Sequence, residues 1–291
     1  MDRLNRRKFI SAGVTGLAGA SMLFPQLLQG KNPVAKKKQL GFQTWVMREE
    51  LAKDFTGTLK KMGTLGYNSI EMCSPPGYSQ AGFGHLQHLS ARELKKMIND
   101  SGFSCVSSHY GFSELKDHGQ ERIDFAKELG LTQMVIASYG LPRTATLDDW
   151  KRAADESNKI AELTNKSGVQ LVFHNHNVEL EKLDGQIIYD VLLDRLDPEL
   201  VKMQFQLWVI IMGYKAADYF KKHPGRFISA HLYDWSGQGE EMVPLGKGVV
   251  DWNEFFAAAK TGGVKNYYAE MDFKYLAESA KFLAANEKKM F

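Results

Sequence analysis

The chain has 291 residues, with 37 Lys and Arg against 34 Asp and Glu, a formal charge of +3. That charge belongs to residues 1–30, where Arg3, Arg6, Arg7 and Lys8 face Asp2 alone; the remainder is formally neutral and lacks the basic surface that nucleic-acid binding needs. An apolar share of 44% is ordinary for a globular fold, and no stretch is long and apolar enough to be read as a membrane span.

The chain opens on Asn5-Arg6-Arg7-Lys8-Phe9-Ile10, followed by an uncharged run over 11–30 diluted by Gly13, Gly16 and Gly19. Paired arginines before a mildly apolar run have the form of a twin-arginine export signal. Residues 1–30 are therefore expected to be a signal peptide and 31–38, with Lys36-Lys37-Lys38, a solvated linker. The protein would then work in the periplasm, with no stable membrane span after processing.

From residue 39 onward, short apolar runs alternate with amphipathic stretches. The runs are 40–46, 67–72, 104–109, 133–138, 170–175, 201–206, 227–231 and 266–270. Each reads as a strand buried on both faces. Between them, Ser90 and Glu93 form a capping-box signature before a helix over 91–99. Helices over 115–129 and 148–167 stop at Gly130 and Gly168, and one over 251–260 stops at Gly262-Gly263. Eight strand–helix units in this length predict an α/β fold, a single (β/α)₈ TIM barrel over residues 39–291. Cys73 and Cys105 fall in predicted strands as small buried hydrophobes, and no Cys-x-x-Cys pattern is present.

In this fold the active site lies at the C-terminal ends of the strands. Six of the eight runs end in or beside residues able to ligate a metal or move a proton: Glu71, His109, His174 with His176, Gln206, His231 and Glu270. Polar groups on otherwise buried strands are costly unless paired or wetted, so their recurrence marks a site. Imidazole nitrogens, an amide oxygen and a carboxylate form a shell for a divalent metal such as Mn, Co, Zn or Fe. A polarised carbonyl beside a proton-transfer group is what isomerisation, epimerisation or β-elimination on a sugar requires. Trp45 is a candidate stacking platform, Glu71 a substrate contact and Lys247 a contact for a phosphate or hydroxyl. Asp234 is a candidate partner for an imidazole.

The motifs, taken in order, resemble the xylose isomerase-like TIM-barrel superfamily, the sugar phosphate isomerases/epimerases. They include Ile70-Glu71-Met72, Ser107-Ser108-His109 and Phe173-His174-Asn175-His176-Asn177. They continue with Val201-Lys202-Met203-Gln204-Phe205-Gln206, His231-Leu232-Tyr233-Asp234, Gly246-Lys247-Gly248 and Ala269-Glu270-Met271-Asp272. The resemblance implies a metal shell of Glu, Asp, His and Glu on strands five to eight. By position these are His174, Gln206, His231 and Glu270, so two expected carboxylates are replaced. It implies an isomerase or epimerase acting on a small-molecule carbohydrate, with Glu270, His176 and His109 as catalytic candidates. The strand-five His-x-His is similar to the inosose dehydratase branch, so a lyase or hydratase acting on keto-sugars or keto-glycosides is the alternative. A non-catalytic sugar-binding barrel is a third reading.

Overall fold

Short β-rich runs with no polar face to spare bury both faces by pairing in parallel under a cover of helices. A computed structural model of the chain describes residues 39–237 and 241–291. The expected signal (1–30) and linker (31–38) lie outside the described residues. The strands are β1 (Gly41–Gln43), β2 (Ser69–Cys73), β3 (Ser104–Tyr110), β4 (Gln133–Ile136), β5 (Gln170–His174), β6 (Lys182–Leu183), β7 (Gln186–Ile187), β8 (Val201–Gln206), β9 (Phe227–Leu232) and β10 (Asn266–Ala269). All but β6 and β7 close into one parallel barrel, in the order β1-β10-β9-β8-β5-β4-β3-β2. Barrel strands five to eight are thus β5, β8, β9 and β10.

The helices are α1 (Arg48–Lys53), α2 (Phe55–Thr64), α3 (Ala91–Asp100), α4 (Phe112–Leu129), α5 (Leu147–Lys166), α6 (Ile188–Arg195), α7 (Ala216–Lys222), α8 (Trp252–Gly262), α9 (Phe273–Ala285) and α10 (Glu287–Met290). The capping box of Ser90 and Glu93 starts α3, and Gly130, at φ 96°, stops α4. None of the described helices is long and apolar enough to cross a membrane.

Two differences from the sequence reading bear on the site. The first run does not continue to Val46: the Gln43 side chain accepts the Trp45 backbone N–H, and the chain turns into a 3₁₀ segment, Thr44–Met47. The antiparallel hairpin β6–β7 was not anticipated. Asp184 (φ 50°) and Gly185 (φ 78°) turn it, as an Asp-Gly pair does.

Alternation along each strand sends every second residue inward. Outward residues such as Phe42, Ile70, Phe205 and Leu232 are fully buried under the helices. Gly41 makes room on the inner side: a Cβ there would lie 2.6 Å from the Tyr268 ring. Register slips at Ile70/Glu71 and at Met203/Gln204. Bulges re-aim side chains beside active sites, and these two bring Glu71 and Gln204 within hydrogen-bond distance across the barrel.

Candidate active site

Glu71, on β2, is completely buried. Its Oε1 accepts from Ser107 Oγ at 2.6 Å and from Gln204 Nε2 at 2.7 Å. Its Oε2 accepts from Gln43 Nε2 at 3.0 Å and from His231 Nε2, with His109 Nε2 3.1 Å away. Burial opposes the charged form, yet His109 and His231 outweigh it and hold the carboxyl well below its usual range. With both oxygens taken, Glu71 positions His231 and His109. This corrects its assignment as a substrate contact, because no oxygen is left to meet one.

His231, on β9, joins two carboxylates. Its Nε2 faces Glu71, and its Nδ1 lies 3.0 Å from Glu270 Oε2. Burial lowers its pKa, but the carboxylates of Glu270 and Glu71 prevail and push it up to about 10. It is therefore an imidazolium donating from both nitrogens at neutral pH. Glu270, just past β10, keeps 18% of its side chain exposed. Burial would raise its pKa, but His231 and the Gln206 amide hold it down, so it is an ionised carboxylate open to the barrel mouth.

His174 ends β5. Burial first, then the neighbouring imidazoles His231, His176 and His109, push its pKa well down, so the ring is neutral. Its Nδ1 has no hydrogen-bond partner among the described residues. His176 packs edge-on against it with ring centroids 4.8 Å apart, and is exposed at the mouth. Protein packed around the His176 ring lowers its pKa too, against the pull of Glu270. The loop beyond is held by buried Glu179, whose Oε2 accepts the His176 backbone N–H at 2.7 Å.

All seven strand-end residues therefore converge, from Glu71 to Glu270. His109, His174 and, once it has given up a proton, His231 offer nitrogens within 4.8 Å of one another, a donor set that suits a divalent metal ion. The unpartnered Nδ1 of His174 supports that fit. Gln206 does not take the role expected of it. Its Nε2 donates to Glu270 and its Oε1 accepts the Trp208 backbone N–H at 3.3 Å, so the ligating oxygen is turned away.

Two other candidates make their side-chain contacts outside these seven residues. Lys247 Nζ lies 3.5 Å from Glu278, with 62% of its side chain exposed. Trp45 is 37% exposed, lies 6.0 Å edge-on from Tyr78 and carries the Arg48 guanidinium over its ring. Asp234 orients no imidazole. It accepts backbone N–H groups of Trp235, Gly246, Gly248 and Val250 and the Trp252 indole, tying down the loop after β9.

Sequence reasoning missed Gln43, Gln204 and Ser229 as site residues. Gln204 bridges the network, with Nε2 donating to Ser229 Oγ at 2.9 Å and Oε1 2.8 Å from His109 Nε2. Its signal was the Gln-Phe-Gln spacing on β8, two amides on the same inner face.

Comparison with known proteins agrees with this architecture. The inosose dehydratase of Clostridium perfringens is 26% identical over 172 residues, covering 54% of this chain and 57% of that protein. The chain thus spans little more than half of that relative's length. Inosose dehydratase 2 of Bacillus cereus is 23% identical over 270 residues, covering 79% of this chain and 88% of that one. A sugar phosphate isomerase/epimerase from Parabacteroides distasonis superposes with a TM-score of 0.74 at 24% identity, over 87% of this chain and 96% of that one. The IolI protein with a bound zinc atom superposes with a TM-score of 0.59 at 14% identity, over 87% of this chain and 96% of that one. The family model described as xylose isomerase-like TIM barrel matches residues 59–285, from within α2 to the end of α9. With that match spanning most of the barrel, the chain belongs to the xylose isomerase-like TIM barrel family.

Proposed function

We propose that the cluster is the active site of a metal-assisted isomerase or epimerase acting on a sugar or keto-sugar. The observation that carries this reading is the state of Glu270. It is an ionised, partly exposed carboxylate fixed by His231 and Gln206 beside the exposed imidazole of His176. Such a carboxylate can take a proton from the carbon next to a carbonyl, and a nearby imidazole can return one. A divalent ion of the Zn, Mn, Co or Fe type on His109, His174 and His231 would supply Lewis-acid polarisation of the substrate oxygen. His109, buried beneath the mouth and held by Gln204, orients this shell.

A second reading rests on the burial of Glu71, which leaves Glu270 as the carboxylate that opens to the mouth. Dehydration needs one base and one acid. Glu270 takes the proton next to the carbonyl, the C–O bond to the β-hydroxyl breaks as a double bond forms, and the hydroxyl leaves as water with a proton that His176 has first taken up from solvent. The inosose dehydratase relatives support this alternative.

Incubation with candidate sugars in heavy water, read by NMR, separates these outcomes. Carbon-bound deuterium in an isomeric product is expected. Loss of water would establish the lyase, and binding without change would leave a non-catalytic sugar-binding barrel.

The Arg6-Arg7 pair supports export to the periplasm by the twin-arginine route. Replacing both with lysine should retain the precursor inside the cell, and undiminished export would contradict this.

A further inference from the structure

Phe42-Gln43-Thr44-Trp45 and Phe205-Gln206-Leu207-Trp208 are one pattern used twice. Each glutamine ends a barrel strand, gives its Nε2 to a carboxylate, Glu71 or Glu270, and accepts the N–H of the tryptophan two residues on. The same side chain that fixes a carboxylate therefore carries an indole out onto the mouth. Trp208, 42% exposed, lies flat on Tyr233 with ring centroids 5.2 Å apart and planes within 5°. The indole is thus packed against one ring while the residue stays 42% exposed.

The surroundings of Trp208 are apolar. Ile211 (39% exposed) and Met212 (38%) follow in the same segment, and Val249 (51%) projects from the loop after β9. That loop shares a cleft with the segment, lined by Leu207, Ile210 and Val250 on one side and by Lys215, Asp251 and Glu254 farther along. Of the eight large exposed hydrophobic residues among those described, six follow strand ends at the mouth; Leu163 and Phe291 do not. An apolar patch at a rigid position beside a polar cluster marks a binding surface.

Resting on the sugar-site reading above, we propose that this patch is an aglycone subsite. The substrate is a keto-glycoside, whose carbonyl-bearing sugar ring meets Glu270 and His176 and whose flat, apolar aglycone lies on Trp208 among Ile211, Met212 and Val249. A second sugar ring fits less well, since the exposed side chains of Ile211, Met212 and Val249 offer no hydrogen bonds to ring hydroxyls. Continuity supports the assignment: Gln206 holds Glu270 with one end of its amide and Trp208 with the other.

The test compares methyl and phenyl β-D-glucopyranosides and galactopyranosides, unreactive analogues that lack the ring carbonyl, by calorimetry on the full chain. The phenyl member of a pair should bind about tenfold more tightly, for the area of one buried ring. Trp208→Ala should bring that ratio close to one and Ile211→Ser should lower it in part. Leu163→Ser, on the outer face of α5, should leave it intact. Equal binding of the parent pair, or a ratio that survives Trp208→Ala, overturns the subsite alone. Binding of no glycoside overturns the sugar-site reading and this inference together. A dimer that Trp208→Ala dissociates without changing the phenyl preference assigns the patch to a second copy of the chain and overturns the proposal.

Discussion

Gln206 meets Glu270 through its amide nitrogen, not its amide oxygen. The backbone N–H of Trp208 requires this orientation, because only the carbonyl end of the amide can accept it. The residue standing where the family shell carries a carboxylate is thereby a support for Glu270, and the nitrogens of His109, His174 and His231 become the donor set.

Metal retention tests that reassignment. The purified protein should hold about one divalent transition-metal ion per chain after dialysis, and His174→Ala should lose it. Gln206→Ala should keep it. His231 carries a proton up to a pKa of about 10, so loading through this ring should release protons and weaken as pH falls. Metal analysis and proton release in weakly buffered solution check both points. Loss of the metal in Gln206→Ala with retention in His174→Ala would restore the amide as the ligand.

Glu270→Gln should lower turnover by about 10²–10⁴-fold, the usual span for a general acid–base group. The fold should survive, because the side chain opens to solvent and the amide can still meet His231. Rates on the identified substrate, with circular dichroism as the control, give the result. Substantial retained activity would remove Glu270 from its role.

Glu71→Gln should behave in the opposite way. It breaks a fully buried carboxylate–imidazolium pair and disturbs acceptors for Gln43, Ser107 and Gln204. Destabilisation of about 3–5 kcal/mol is expected in urea unfolding. A change under about 1 kcal/mol, that of a surface substitution, would contradict the network.

Glu179 gives a pH signature. Burial raises its pKa from 4.5 to about 7 in the fold, and its Oε1 lacks a partner among the described residues. A carboxyl raised on folding adds stability that is fully present below pH 4.5 and lost as pH rises through about 7. Glu179→Gln keeps an oxygen for the His176 N–H and carries no charge to bury. It should match the parent near pH 5 and exceed it by up to about 3 kcal/mol above pH 8. Parallel thermal melts at the two pH values check this, and an advantage confined to acid would reverse the sign and refute it.

Much of this was legible in the residues themselves. The β8 run and the ends at Gly130 and Ser90 follow from local chemistry: two-sided burial, glycine at positive φ and a side-chain cap. Seven strand-end residues were identifiable because polar types recur where buried strands should be apolar. What the sequence alone determined was the barrel and seven polar strand ends, while Gln43, Gln204 and Ser229 joined the network only through the fold. Roles came only with tertiary structure. Glu71 and Glu270 are the same residue type at neighbouring positions of one cluster. Only the closed barrel buries the first under five donors and leaves the second at the mouth. Side-chain direction and hydrogen-bond partners depend on register, bulges and cross-barrel neighbours more than 100 residues apart, such as Gln204 and Glu71. Such long-range pairings leave no periodic trace in a single sequence.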